Sequence, residues 1–261
     1  YKSLYNNTTG ISNSGFGFYS LFSNTTGINN SAFGLYALRG NTVGSSNTAV
    51  GRDALRLTTS GSNNAAVGYH ALRNNTIGQQ NSAFGTYTLR ENTSGGANVA
   101  FGNYSLRSNS IGNNNTAVGY QSLFSNVSGS NNSAFGMYTM KNNTSGIRNV
   151  AFGYGSLFSN LVGANNTAVG YLALYNNTTT NNSAFGYRAL FANTTGFRNS
   201  AFGLYSLKSN TSGTYNTAFG YRSLASNVLG NYNVAIGSDA LNANTANYNV
   251  AIGTNALANN T

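Results

Sequence analysis

The chain repeats itself from end to end with a period of 17 residues. The triplet Ala-(Phe/Val/Ile)-Gly marks this period, with Gly15 in place of Ala in the first copy, and the step between its glycines shortens to 16 residues at Gly186 and Gly253. A period of fixed length predicts that each copy is one structural unit stacked on the next. The triplet glycines are Gly17, Gly34, Gly51, Gly68, Gly85, Gly102, Gly119, Gly136, Gly153, Gly170, Gly186, Gly203, Gly220, Gly237 and Gly253.

Each repeat also carries one Leu and two Asn at fixed positions, in the pattern A-(F/V/I)-G-x-x-(A/S/T)-L-x-x-N-x-x-G-x-x-N-(S/T/V). Only Met140 departs from the Leu position, and only Thr58 interrupts the first Asn position. The second Asn position, from Asn13 to Asn249, is uninterrupted. Both 16-residue steps lose a residue between the two Asn positions, which indicates a turn there, because turns tolerate deletions.

Seventeen residues are too few for two helices and a loop, but they match one coil of a β-solenoid, in which short strands stack on those of the next coil. Gly at fixed positions would supply corners with positive φ, and Asn would stack into a side-chain amide ladder. The absence of Pro agrees, because central strands need every N–H. A helical repeat is disfavoured, since each Gly would cost about 1 kcal/mol in a helix interior. The sequence predicts an all-β, parallel β-roll of about fifteen coils, one continuous domain over residues 1–261.

The composition supports an ordered fragment of a longer protein. Charged residues make up only 6% of the chain, but 40% hydrophobic residues are enough to form a core. The chain begins without Met and starts and ends inside a repeat, so we expect further sequence on both sides. It contains no Cys, which excludes disulfides and cysteine-based metal sites, and we expect no membrane insertion in this segment because no apolar run approaches the ~18 residues of a spanning helix.

Strand alternation predicts which side chains face outward. The position after Leu mixes Arg with Phe and Tyr, so it faces solvent and its Leu neighbour faces the core. The small Ala of the triplet suits packing against Leu, which places the adjacent Phe, Val or Ile outside. Such an apolar row predicts a subunit interface. The opposite orientation, with Phe inside and Ala outside, would give a monomer. The predicted interface residues are Phe33, Phe84, Phe101, Phe135, Phe152, Phe185, Phe202, Phe219, Ile236 and Ile252.

The last two repeats, "NVAIGSDALNANTANYNVAIGTNALANN" at residues 233–260, resemble the head repeats of trimeric autotransporter adhesins. The resemblance is closest over 234–261. The residue pattern of "NTAVGYQSLFSN", residues 115–126, is similar to repeats of phage tail-fibre-like and bacterial surface proteins. These resemblances imply a left-handed parallel β-roll, three copies packed on a common axis as a parallel homotrimer, and a location outside the cell, on its surface or on a virion.

Residues suited to catalysis are scarce. The acids are Asp53, Glu91 and Asp239, and the one histidine is His70. Their spacing over many coils does not favour a pair of catalytic carboxylates within ~10 Å, so we expect solvated surface acids and an exposed histidine. No metal shell can be assembled from so few ligands. The sequence therefore predicts no catalytic residue, no cofactor, no small-molecule substrate and no enzymatic activity.

The formal net charge of +10 points to a polyanion as a candidate partner. Five arginines recur on successive coils at the position after Leu, next to tyrosines three residues earlier. Arg beside aromatic rings can bind phosphate, sulfate or acidic sugars, whereas no nucleic-acid recognition motif accompanies them. A purely solubilising role is the alternative. The candidate stripe consists of Arg39, Arg56, Arg73, Arg90, Arg107, Tyr36, Tyr87 and Tyr104.

These patterns together favour a non-enzymatic, trimeric fibre or adhesin-type segment, extracellular or virion-borne, that spaces or presents a binding surface to a host, glycan or other surface. A monomeric solenoid that binds ice or another ordered surface through Thr and Asn rows is the alternative. Its Thr row, from Thr8 to Thr93, is interrupted further along the chain by Ser110, Val127 and Leu161, which weakens that alternative.

Overall fold

The computed structural model describes residues 2–260 and comprises two compact units, unit 1 (Tyr1–Asn131) and unit 2 (Asn132–Thr261). Each is a parallel β-solenoid built from coils of about 17 residues, so the predicted all-β fold is confirmed, and no helix occurs within residues 2–260. Unit 1 contains β1 (Ser14–Phe16), β2 (Ser31–Phe33), β3 (Thr48–Val50), β4 (Ala65–Val67), β5 (Ser82–Phe84), β6 (Val99–Phe101) and β7 (Thr116–Val118). Unit 2 contains β8 (Ser133–Phe135), β9 (Val150–Phe152), β10 (Thr167–Val169), β11 (Ser183–Phe185), β12 (Ser200–Phe202), β13 (Thr217–Phe219), β14 (Val234–Ile236) and β15 (Val250–Ile252).

Successive strands pair in parallel with equivalent residues opposite one another. In unit 1, Ala32 of β2 pairs with Ala49 of β3, and in unit 2, Ala134 of β8 pairs with Ala151 of β9. This register carries through the 16-residue repeat as well, because Ala168 pairs with Ala184. Every repeat position therefore forms a row along its unit, one side chain per coil.

The core of each unit consists of the Leu and Ala rows. The Leu side chains from Leu21 to Leu241, with Met140 in their place once, are fully buried, and so are almost all triplet Ala side chains. Each Leu adopts a left-handed backbone with φ between 48° and 52°. That conformation costs roughly 1–2 kcal/mol for a residue with a side chain, while burying a Leu contributes about 1.5–3 kcal/mol. Burial therefore compensates for the backbone cost. The full burial of these side chains confirms the inward orientation predicted for Leu.

The two Gly positions have different roles, which corrects the expectation that both supply corners with positive φ. The triplet glycines do so, with φ between 115° and 138°. The second Gly of the repeat, such as Gly27, lies outside this region. A Cβ added to Gly27 would lie 2.6 Å from Asn24 Oδ1 and would collide with the carbonyl of Gly44 in the next coil. The second Gly is therefore required by close approach of the backbone.

The first Asn position forms a buried ladder of side-chain amides. Asn24 Nδ2 donates to Asn7 Oδ1 at 2.7 Å and to the carbonyl of Gly27 at 3.0 Å. Asn41 repeats this arrangement with Asn24 Oδ1 at 2.7 Å. Buried amides need such partners, because an unsatisfied polar group costs about 1–3 kcal/mol. The predicted amide ladder is confirmed at this position.

The second Asn position forms another ladder, in which the backbone takes part. The backbone N–H of Asn30 donates to Asn13 Oδ1 at 3.0 Å, and Asn30 Nδ2 donates to the same oxygen at 3.1 Å and to the Gly44 carbonyl at 2.9 Å. In unit 2, Asn149 donates to Asn132 Oδ1 in the same way. Each coil is thus tied to its neighbour by side-chain and backbone donors at once.

The two shortened repeats keep the ladder by moving the acceptor. Where the usual Gly is missing, Asn177 Nδ2 donates to the carbonyl of Thr179 at 2.9 Å, and Asn244 Nδ2 donates to that of Ala246 at 2.8 Å. The acceptor then lies two residues after the Asn instead of three. The lost residue therefore comes out of a turn, as the sequence indicates, and the strands keep their register.

Thr58 leaves a gap in the first ladder. Asn41 Oδ1 and Thr58 Oγ1 are both buried and lack a hydrogen-bond partner within residues 2–260. The backbone is otherwise regular, because the Thr58 N–H donates to the Leu55 carbonyl at 3.2 Å, as an Asn does at this position in other coils. The gap is therefore confined to the missing side-chain amide at Thr58.

Thr58→Asn is expected to raise the free energy of unfolding by about 1–2 kcal/mol, because the new amide can donate to Asn41 Oδ1 and remove a buried unsatisfied acceptor. Urea denaturation followed by circular dichroism measures the shift. Ser60→Asn adds the same group to an exposed turn and is the matched control, with no expected gain. Equal midpoints for the two variants would show that the ladder gap carries no energetic cost.

Candidate binding surfaces

The apolar row lies on the outside of both units. In strands β2 to β15 the middle Ala points into the core and the following Phe, Val or Ile points away from it. Phe33 is 42% exposed and Phe219 is 57% exposed, whereas Ala32 is fully buried. The alternative orientation, with Phe inside and Ala outside, is therefore wrong. We call this row of third strand residues the apolar rank.

Neighbouring aromatic rings of the apolar rank stack on one another. Phe84 and Phe101 lie 4.5 Å apart between ring centroids in unit 1, and Phe135 and Phe152 lie 4.6 Å apart in unit 2. The interplanar angles of 7° and 2° show nearly parallel rings. The remaining predicted interface residues occupy the same strand position and are half-buried or exposed: Phe33, Phe185, Phe202, Phe219, Ile236 and Ile252. The rings contact one another along the rank, and the side of the rank that faces away from the core stays exposed.

The five predicted stripe arginines lie on successive coils of unit 1, and we call them the Arg stripe: Arg39, Arg56, Arg73, Arg90 and Arg107. Their side chains are half-buried, and the Nε atoms of all but Arg39 are buried without a hydrogen-bond partner within residues 2–260. The guanidinium groups therefore lie close against the surface. An anion would meet the outward Nη groups first.

Two of the three predicted tyrosines contact the Arg stripe. The Tyr36 ring lies under the guanidinium groups of both Arg39, at 5.4 Å, and Arg56, at 5.1 Å. Tyr87 contacts Arg90 at 5.5 Å. Such cation–π contacts hold these three arginines against the tyrosine rings.

Tyr104 departs from the expected arrangement. Its ring stacks on Tyr87, with centroids 5.2 Å apart, while Arg107 lies over Phe124 of the next coil at 5.5 Å. The aromatic partner of Arg107 is therefore the residue after Leu in the following repeat. The ring that an arginine covers therefore depends on the neighbouring coil as well as on the spacing within one repeat.

Asp53 corrects the expectation of a solvated surface acid. It is 2% exposed, and Arg52 Nε donates to its Oδ2 at 3.3 Å. Arg56 Nη1 lies 3.2 Å from Oδ1, within ion-pair distance although without hydrogen-bond geometry, and His70 Nε2 lies 3.3 Å from Oδ2. A buried carboxylate requires such compensation. Asp53 therefore neutralises part of the positive charge around the Arg stripe.

His70 is half-buried rather than exposed, so that expectation is also wrong. Its ring stacks on Tyr69 at 4.0 Å and meets Tyr87 edge-on at 5.3 Å. Burial lowers the pKa of His70 below its usual 6.5, and this effect is larger than the opposing effect of Asp53. Arg73, Arg90 and Arg52 lower the pKa further. The neutral imidazole is the form that fits this site. Loss of hydration likewise raises the pKa of Tyr87, with a further contribution from its hydrogen bond with Tyr69.

Glu91 and Asp239 are half-buried and ion-paired rather than the solvated surface acids that were expected. Arg90 Nη1 lies 3.3 Å from Glu91 Oε1, and Asn74 Nδ2 donates to Glu91 Oε2 at 2.6 Å. Asp239 lies 3.5 Å from Arg222 Nε in unit 2. Asp53 and Glu91 thus contact different arginines, and each acts as a counter-charge.

Three members of the Arg stripe keep their charge uncompensated. Arg39, Arg73 and Arg107 have no carboxylate within 4.0 Å among residues 2–260, in contrast to Arg56 and Arg90. They are the arginines best placed to attract an anion. The sequence pattern found all five arginines, but only the contacts distinguish the paired from the unpaired ones.

The described part of the chain, residues 2–260, contains no cluster of three His, Asp or Glu side chains suited to a metal ion. Within the same residues, no helix of sufficient length and apolarity to cross a membrane is found. No known family model matches the sequence, and a search of curated proteins finds no significant relative.

The lowered pKa of His70 makes the stability of the chain depend on pH. Because the folded state holds the pKa of His70 below 6.5, the unfolded chain binds a proton more readily, and the stability present above pH 6.5 is lost as the pH falls through the lowered value. His70→Gln introduces a residue type that the chain already carries at this repeat position, at Gln121. The free energy of unfolding should fall less between pH 7.5 and 5.5 in this variant than in the wild type. An identical decline in both would contradict the lowered pKa.

The unpaired charges of the Arg stripe can be tested with heparin, a polyanion. Arg39→Gln, Arg73→Gln and Arg107→Gln together should abolish salt-sensitive retention on heparin, because they remove the uncompensated positive charges of the stripe. Arg148→Gln, Arg198→Gln and Arg222→Gln together change the net charge equally but lie in unit 2, and they are the matched control. Equal loss in both triple variants would mean that net charge alone, and no defined stripe, causes retention.

Proposed function

We propose that this chain is a non-enzymatic segment of an extracellular or virion-borne fibre, in which three copies pack in parallel through the apolar rank and present their other faces to a surface. The observation that carries this proposal is the outward orientation of the rank on every strand. Its members include Phe101 at 44% and Ile252 at 70% exposure. The resemblance of residues 233–260 to adhesin head repeats supports a trimer and an extracellular or virion-borne location.

The energetics of the apolar rank favour association. Burying one such ring contributes roughly 2 kcal/mol, and the rank offers one apolar side chain on every coil. Soluble monomers rarely expose a continuous apolar surface of this kind. Because the strands pair in register, the rank repeats regularly from coil to coil within each unit, so equivalent rows on three copies can meet coil against coil.

The Arg stripe gives the fibre a candidate ligand class. Four of the five guanidinium groups lie over Tyr or Phe rings, and three members of the stripe, Arg39, Arg73 and Arg107, have no carboxylate partner within residues 2–260. This combination suits an acidic polysaccharide or another polyanion on a host surface. We infer that unit 1 contributes this attachment surface. Nucleic acid is a weaker candidate, because the charges are few and half-buried.

A monomeric solenoid that binds ice or another ordered surface is the second candidate. The Thr row that would carry this function uses its hydroxyl groups internally: Thr25 Oγ1 donates to the Thr42 carbonyl at 3.0 Å, and Thr76 Oγ1 donates to the Thr93 carbonyl at 2.9 Å. These donors are then unavailable to an external lattice. The fibre proposal is therefore favoured.

Sedimentation equilibrium tests the fibre proposal directly. We expect a native mass of three times the chain mass of 27.3 kDa. Phe135→Asn with Phe152→Asn should cause dissociation or aggregation, because both rings leave the apolar rank and a polar amide enters the interface. Phe197→Asn is the matched control, since Phe197 is 38% exposed but lies at a turn outside the rank. A monodisperse wild-type monomer would overturn the fibre proposal in favour of the monomeric solenoid.

A further inference from the structure

The residue two positions after the triplet Gly normally fills the space between two outward rows. Tyr19 shows this in unit 1, where its ring contacts Phe18 at 4.2 Å on one side and Phe22 at 4.7 Å on the other. Arg188 does the same in unit 2, lying over Tyr187 at 5.5 Å and over Phe191 at 5.2 Å. We call this position the middle row. Its side chains bridge the flanking rows.

Gly155 is the one glycine in the middle row, and it leaves the space in its coil without a bridging side chain. Its φ of 61° matches that of the residues with side chains at this position, such as Tyr104 and Tyr205, so the backbone does not require glycine here. The following member of the row is Leu172, a short apolar side chain that leans toward Gly155. The repeat is therefore broken by the absence of a side chain rather than by a change of backbone.

A cleft of about 330 Å³ opens at this break in unit 2. Six aromatic rings and one Leu form its lining: Tyr138, Tyr154, Phe158, Tyr171, Leu172, Tyr175 and Phe191. No charged side chain takes part in the lining, and four of the rings carry hydroxyl groups. The volume lies in the range of small-molecule sites.

The walls of the cleft are two ladders of stacked rings. Tyr154 and Tyr171 form one ladder, with centroids 5.3 Å apart and an interplanar angle of 13°. Phe158 and Tyr175, at 4.9 Å and 14°, form the other, which Phe191 extends at 5.5 Å. Because each ring is held by its neighbour in the next coil, the walls are ordered before any ligand enters. Preorganised aromatic walls lower the cost of binding.

We propose that this aromatic cleft binds a neutral saccharide ring. A pyranose has apolar C–H faces that pack on aromatic rings and a rim of hydroxyl groups that can exchange hydrogen bonds with tyrosine hydroxyls. An anionic ligand would find no positive charge in the lining. Two cations lie at the margin of the cleft and do not line it: Lys141 lies over Tyr138 at 4.9 Å and over Phe158 at 5.8 Å, and Arg188 lies over Phe191. The cleft is thus chemically distinct from the Arg stripe of unit 1.

This inference goes beyond the proposed fibre function and does not depend on the number of subunits. A fibre with a glycan-binding cleft on unit 2 and a polyanion stripe on unit 1 would bind two classes of ligand. The salt response separates them, because binding of a neutral sugar does not release counter-ions, whereas polyanion binding does.

The test uses the full chain in its native assembly and a panel of neutral oligomers of glucose, galactose, mannose and N-acetylglucosamine. Saturation-transfer NMR and calorimetry should detect binding of at least one of them, with an affinity unaffected by added NaCl. Gly155→Tyr restores the usual bridging residue and is expected to weaken this binding at least tenfold. The Leu172 side chain must move to admit it, because a Cβ on Gly155 would lie 2.8 Å from Leu172 Cδ2.

Two further variants keep the test decisive. Tyr171→Leu removes a wall ring without adding bulk and should weaken binding as well. Gln121→Tyr adds the same residue to the middle row of unit 1, away from the cleft, and should leave the affinity unchanged. The proposal is overturned if no oligomer of the panel binds, if Gly155→Tyr retains the wild-type affinity, or if added NaCl abolishes the binding.

Discussion

The buried asparagine amides are the interaction on which the rest of this structure depends. Asn30 alone makes three hydrogen bonds that join its coil to its neighbours, through its backbone N–H and its side-chain amide. Sliding one coil against the next would leave such groups unsatisfied, at about 1–3 kcal/mol each. The ladders therefore fix the register of the strands. Fixed register is what turns each repeat position into a row, and the rows are the surfaces that can bind other molecules.

The glycine and leucine positions follow from the same close stacking. Gly27 has no Cβ because the carbonyl of Gly44 and the amide of Asn24 occupy that space. Leu38 adopts a left-handed backbone that is unfavourable for a side chain, and burial in the core compensates for it. These requirements act on the inside of the coil. They explain why the interior sequence hardly varies along the chain, since any larger or differently shaped group would disturb two neighbouring coils at once.

The outward rows are free of the close packing that acts on the inside, although the middle row shares the left-handed backbone, as at Tyr104 with a φ of 61°. Their variation carries the chemistry. The row after Leu changes from arginines such as Arg73 in unit 1 to rings such as Tyr175 in unit 2, with no change in backbone. The middle row accepts Asp53, which arginines and His70 compensate, and it accepts Gly155, whose neighbours Tyr154 and Leu172 line the aromatic cleft. One scaffold can thus present apolar, cationic and aromatic surfaces side by side.

The period and the small size of Ala determined the fold from the sequence alone: parallel coils, amide ladders, and Phe outside by strand alternation. Leu is inside as predicted, but it lies in a turn with positive φ, where strand alternation does not apply. The Arg stripe was equally visible, because it repeats. Only the tertiary structure decided that Asp53 is buried, that Arg39 and Arg73 remain unpaired, and that the rings around Gly155 leave a cleft. These features arise between side chains of different repeat positions on neighbouring coils. Long, flexible side chains such as Arg can reach several partners, and spacing along the sequence does not determine which one they contact.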